Sequence, residues 1–315
     1  MMTFDATPPF ALAHQLTKDT GGPARHVPGH PRIHLGDRSK VWDFLEREFC
    51  SDDLDRVADK LWWMSKQDSR NISPLHRQLV KRRTIVVTED PKLHLVWIYD
   101  RMFIKPLPQY MASHWFWSEY LCGPAGSERE ARVRRAALGH LRTYYHLIRH
   151  ESDFRIAQDP SLCLIPGGVT WEQFCDFTSG LADVADRDVS PRYAYGEIRL
   201  TRLNFYAPFL LGKSHFQRVE YQYGSYFARF YGPILFVLGV VSVVLSGLQV
   251  VVSVGDEGLG AYSPGSALWV SVVIIVGSAG LLVSLGFLLV YKVAREWRFA
   301  IRDRSRLLKE RRMTV

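Results

Sequence analysis

The sequence predicts a mainly α protein: a helical cytosolic domain with a small β-hairpin, followed by a C-terminal two-helix transmembrane hairpin. Three observations predict it. From Tyr231 to Val290 the residues are almost all apolar, Gly or Ser, whereas the chain before Phe230 is rich in Arg, Asp, Glu, Trp and Tyr. Two runs inside the apolar third, 233–254 and 268–291, hold 22 and 24 residues without a charge. At a helical rise of ~1.5 Å per residue, each is long enough for a hydrocarbon core of about 30 Å. Finally, apolar residues in the polar part recur at helical spacing.

Charge orients the predicted anchor. The connector between the runs, GDEGLGAYSPGSA, has acids but no Lys or Arg, while the segment 292–315 has nine bases against three acids, an excess of +6 out of +8 for the whole chain. Basic residues favour the cytosolic side, so the sequence predicts two spans with both termini cytosolic. Ser242 with Ser246, and Gly280 with Ser284, are small residues four apart that let helices pack closely, either within the chain or in a homodimer. Gln249 is the one strongly polar side chain of the first run, too little for a transport path. The tail 292–315 reads as a basic amphipathic helix. Arg295, Arg298, Arg302, Arg306 and Lys309 form its charged side, and Trp297 is among its apolar residues, a pattern suited to anionic lipid headgroups. Beside such apolar runs, nucleic acid is not an expected partner.

The polar part divides into an N-terminal arm (1–34), disordered or extended because of its many Pro and Gly residues, a mostly helical domain (35–190) and an aromatic-rich segment (191–232) leading to the apolar third. Val41, Phe44, Leu45 and Phe49 predict a helix over 38–49, and Leu54, Val57, Leu61 and Trp62 a second one after Ser51. Ser73-Pro74 opens a short basic helix through Arg83. TIVVT and LHLVWIY around the turn-like EDPK predict a β-hairpin over 84–99. Capping boxes at Ser127/Glu130 and Thr170/Gln173 open two more helices, the first running to about His150.

Few residues suggest chemistry. Asp52, Asp53 and Asp55 lie close in sequence, but Arg56 stands where a second metal-facing acid would be needed, so acids at a helix start are the simpler account. His146 and His150 have zinc spacing without the Glu of a metalloprotease motif, and His26, His30 and His34 are separated by helix-breaking VPG and PRI. Cys50, Cys122, Cys163 and Cys175 form no CxxC pair and read as reduced thiols. Hydrolase, P-loop and dinucleotide motifs are absent, and no cofactor, metal or catalytic residue is expected.

The stretch WDFLEREFCSDDLDRVADKLWWMSKQDSRNISPLHRQLVKRR through TIVVTEDPKLHLVWIYDRMFIKPLP, then LNFYAPFLL and the apolar runs, resembles a fungal family with a conserved domain of unknown function. That resemblance implies a fungal source and a membrane location, and it brings no catalytic residues. The expected function is a noncatalytic, membrane-anchored cytosolic module that binds a protein partner or anionic lipid. The alternative is a membrane-associated enzyme acting on a lipid or hydrophobic metabolite.

Overall fold

The structure, a computed structural model, describes residues 7–17, 25–122, 126–213 and 215–217, and individual helical positions between 232 and 287. The chain divides into two units, Met1–Gln217 and Arg218–Val315.

In the first unit β1 (His26–Val27) and β2 (His30–His34) pair antiparallel, turning at Gly29, whose φ of +83° only glycine adopts without strain. The C-terminal part of the predicted arm is therefore a small hairpin, with the His26 and His34 rings tilted against each other at 4.1 Å between centroids. α1 (Arg38–Phe49) is started by Asp37, whose carboxylate accepts the Lys40 N–H, and it buries the four predicted residues Val41, Phe44, Leu45 and Phe49. α2 (Asp52–Arg56) continues into a 3-10 segment, Ala58–Trp63. After Pro74 comes α3 (Leu75–Val80), which stops before Arg83 because Arg82 takes a left-handed φ of 55°.

β3 (Thr84–Val87), β4 (Val96–Ile98) and β5 (Arg101–Ile104) follow. α4 (His114–Phe116), α5 (Glu128–Leu147), α6 (Glu151–Ala157) and α7 (Trp171–Thr178) then lead to β6 (Ile198–Arg199) and α8 (Leu200–Leu211). α5 lies along the core and buries Val133, Ala136, Ala137, Leu138, Leu141, Tyr144 and Leu147. It ends short of His150 because the Asp153 carboxylate accepts the backbone N–H groups of Arg149 and His150, fixing these residues as the entry to α6. At α7 the predicted capping box is complete in both directions between Thr170 and Gln173.

Two corrections to the expected fold class follow. First, the β-hairpin is misplaced. The four-stranded sheet has the order β3-β5-β4-β6, in which β3 pairs with β5 in parallel and β4 pairs antiparallel with β5. Asp90 ties EDPK into local turns, accepting from Lys92 N–H on its side chain and from Leu93 N–H on its carbonyl, and Leu95 is left-handed at φ 60°. The true reversal is Tyr99-Asp100, with Tyr99 at φ 57° and no Gly or Asn to announce it.

Second, among the described residues no helix is long and apolar enough to cross a membrane, which overturns the predicted two-span anchor and the multi-pass localisation with cytosolic termini. Length and apolarity do not coincide in any described helix. α5 has 20 residues but carries Glu128, Arg129, Glu130, Arg132, Arg134, Arg135 and Arg142, while the apolar α8 has only 12. The positions of 233–291 that the structure does not describe, and the whole tail 292–315, lie outside the described residues.

Candidate functional site

One cluster of charge in the first unit surrounds the buried Glu197, just before β6. Its side chain is 1% exposed. A lone carboxylate at that depth would cost several kcal/mol, so it is held by many donors. Oε1 accepts from Ser73 N–H at 2.9 Å, Gln78 Nε2 at 3.0 Å and Lys66 Nζ at 3.2 Å, while Oε2 accepts from Arg83 Nη1 at 2.7 Å. Burial pushes the carboxyl up, but Lys66, Lys81 and the bonds from Arg83 and Ser73 outweigh it and bring it down to about 2.

The cations exceed this single acid. Lys66 and Lys81 both donate to Ser73 Oγ, at 2.9 and 2.6 Å, with side chains 30% and 31% exposed. Lys81 is lowered to about 8, by burial first and then by Lys66 and Arg83, against the pull of Glu197. Arg83 lies over the Trp97 ring at 4.0 Å, and Arg199 over the same ring at 5.2 Å. Around this node α3 and the turn that ends it present exposed Arg77, Lys81 and Arg82 beside two exposed apolar side chains, Leu79 (49%) and Val80 (78%). Also on α3, His76 Nδ1 sits 2.8 Å from the fully buried Asp153, which accepts the His76 N–H as well.

A second polar cluster centres on the fully buried Lys105. Its Nζ contacts Glu48 at 2.7 Å and the exposed Glu89 at 3.0 Å. His94, His140 and Arg192 are buried next to it, with the imidazoles 4.5 Å apart. Burial, then the positive charges of Lys105 and Arg192, lowers His140 to about 3.

The residues singled out from sequence do not converge. Asp52 meets Arg132, Asp53 meets Lys213 at 2.6 Å, and Asp55 accepts from Ser190 Oγ and Arg192 N–H, so three neighbouring acids serve three different partners. His146 is buried and lowered to about 4 by burial and by Arg149, Arg142 and Arg70, whereas His150 is exposed and its ring faces His76 at 5.4 Å. His30 packs on Phe44 rather than on His26 or His34. Among the described residues no group of three or more His, Cys, Asp or Glu is placed to hold a metal. Cys50, Cys122, Cys163 and Cys175 are free thiols, with Cys50 pushed up to about 12 by burial. Ser242, Ser246 and Gly280 occupy exposed helical positions. The Ser284 side chain and Arg295, Trp297, Arg298, Arg302, Arg306 and Lys309 lie outside the described residues.

Sequence reasoning missed the Glu197 node. Its basic half was visible as HRQLVKRR, but the acid that organises it lies 131 residues from Lys66 and 114 from Arg83.

Neither the curated proteins nor the solved structures contain a match to this chain. A family model described as "Family of unknown function (DUF6601)" matches residues 41–278, a span that takes in the Glu197 node, α5 and the whole four-stranded sheet. The chain belongs to that family.

Proposed function

We propose that the chain is a noncatalytic binding module that engages a protein partner through the basic face around α3. The observation that carries this reading is the exposure of Leu79 and Val80 among Arg77, Lys81 and Arg82. Apolar side chains ringed by cations give a partner both burial energy and steering, a combination that suits an acidic, apolar-containing segment. Arg83 is held to Glu197 and stacked on Trp97, and Gln78 is also bound to Glu197, so this part of the surface is pre-organised and loses little entropy on binding. Exposed Phe205 and Phe209 on α8 add a second apolar feature. A fungal source, carried by the family resemblance, belongs to the same reading.

The test is affinity capture with the full chain, comparing the wild type with Leu79→Ser/Val80→Ser and with Arg77→Glu/Arg82→Glu. Loss of the same bound protein in both variants, with melting temperature unchanged, is the expected result. Equal recovery by all three proteins overturns the reading.

One arrangement favours the enzyme alternative. His76 pairs with buried Asp153 through Nδ1, which leaves Nε2 as the ring nitrogen for a ligand, as in a general base. If His76→Asn abolished turnover of a lipid or ester substrate while partner capture stayed intact, the catalytic reading would replace this one.

A further inference from the structure

We propose that Lys66, Ser73 and Lys81 form a binding site for a phosphate monoester dianion carried by the partner segment. This rests on the reading of the α3 face as a docking surface and names the chemical group that the face recognises. Three lines of geometry lead there.

The first is donor count. An ammonium has three N–H donors. Lys66 directs one to Ser73 Oγ and one to Glu197 Oε1, while Lys81 directs one to Ser73 Oγ and stands 3.8 Å from Glu197, beyond hydrogen-bond length. Among the described residues one donor on Lys66 and two on Lys81 remain unused, and both ammonium groups are held within reach of one oxygen.

The second is charge. Lys66, Lys81 and Arg83 face one carboxylate, which leaves an excess of two positive charges in a partly desolvated place. A carboxylate ligand supplies one negative charge. A phosphate monoester carries roughly −1.5 to −2 at pH 7 and presents three strong acceptor oxygens, so it matches both the charge and the spread of donors. Glu197 does not occupy this position. It lies buried behind the lysines and fixes them.

The third is pH. The groups facing Lys81 are Lys66 from the segment after the 3-10 turn, Arg83 ahead of β3 and Glu197 ahead of β6. Of these, the repulsion from Lys66 and Arg83 is what a bound dianion would relieve. Binding rises as the phosphate loses its second proton near pH ~6. It falls as Lys81 loses its charge near pH 8. A bell-shaped dependence between these limits follows.

The phosphate belongs to a protein segment because Leu79 and Val80 sit beside the site and offer contact to apolar residues flanking a phosphoserine. The test titrates the full chain by calorimetry with a short peptide bearing phosphoserine between leucines, with its unphosphorylated twin, with inorganic phosphate and with phosphatidic-acid vesicles. The expected result is a preference of about tenfold or more for the phosphopeptide over its twin. That preference disappears in Lys66→Gln/Lys81→Gln, persists in Lys81→Arg, and peaks between pH 6 and 8. A preference that survives the double substitution, or no preference in the wild type, overturns the site. Vesicle binding without any peptide preference overturns it in favour of a lipid headgroup. If the preference fails while Leu79→Ser/Val80→Ser still loses the captured partner, only the phosphate inference falls. If neither substitution matters, the docking reading falls with it.

Discussion

Arg192 donates from Nη2 to the main-chain carbonyl of His94, while its Nε and Nη1 meet no hydrogen-bond partner among the described residues although the residue is only 1% exposed. His94 is locked around this bond. Its Nδ1 accepts the Lys105 N–H at 3.1 Å, so the proton resides on Nε2 and is donated to Thr143 Oγ1 at 2.9 Å, and Thr143 in turn donates to the His140 carbonyl. One neutral tautomer satisfies every one of these contacts. Burial, then His140, Arg192 and Lys105, keeps His94 well below its ordinary value.

Burying a guanidinium with two unpartnered nitrogens offsets much of what its bond to the His94 carbonyl returns. Arg192→Met fills similar space without the charge and leaves the His94 carbonyl unpaired, at about 1–3 kcal/mol. Arg192→Ala adds a cavity and is expected to cost several kcal/mol. Denaturant unfolding of the two variants checks the order, and equal losses would mean that the charge itself is required.

Glu197 gives a pH signature. Its folded value of about 2 lies below the ordinary 4.5, so the unfolded chain holds more protons between these limits. The stabilisation is complete above pH ~4.5 and is lost as pH falls toward 2, an effect of about 3 kcal/mol. Glu197→Gln removes the one counter-charge that Lys66, Lys81 and Arg83 have among the described residues and is expected to cost about 3–5 kcal/mol at neutral pH. The loss should shrink on acidification, as read from melting curves at pH 7 and pH 3. A pH-independent difference would contradict the assignment.

How much of this was legible in the sequence depends on how local each signal is. α1 has the predicted bounds and buries the four predicted residues because its apolar spacing is set within 12 residues. The Thr170/Gln173 box was equally readable, since both partners lie within one turn. The parallel pairing of β3 with β5 was not, because it joins strands with another segment between them, and the left-handed Leu95 and Tyr99 carry no glycine signal. The apolar runs fixed a composition but did not place a membrane-length helix among the described residues. The Glu197 node escaped for the reason β3–β5 did: its partners meet only after long-range folding.

His140 and His146 set the acid limit of the fold. Their folded values, about 3 and about 4, lie below the ordinary 6.5, so the unfolded chain takes up protons first as pH falls. Stability drops progressively below pH ~6.5, by about 3–5 kcal/mol for each residue once its folded value is reached. His146→Gln removes one of these titrations, leaving those of His140 and His94, and should flatten the fall of melting temperature between pH 6.5 and 4. An unchanged slope would mean that His146 is protonated in the folded state.

Gly139 tests how tightly α5 is packed against the segment that carries Arg192. A Cβ at this position would stand 2.3 Å from Cδ2 of Tyr193 and 2.6 Å from its Cγ, a distance no contact tolerates. The ring cannot simply rotate away, because Tyr193 is buried, its carbonyl accepts from Arg142 Nη2 at 2.7 Å, and the Arg192 guanidinium lies over it at 4.7 Å. In an exposed helix Gly→Ala gains about 1 kcal/mol from propensity. Here overpacking reverses the sign, and Gly139→Ala is expected to destabilise by about 1–3 kcal/mol net. Truncating the ring should restore room for the methyl group, so Gly139→Ala should cost less in a Tyr193→Ala background than in the wild type. The double-mutant cycle, measured by denaturant unfolding, therefore predicts a coupling of about 1 kcal/mol or more between the two positions. Additive losses would show that the methyl group is accommodated by a shift of α5 itself rather than by strain against Tyr193.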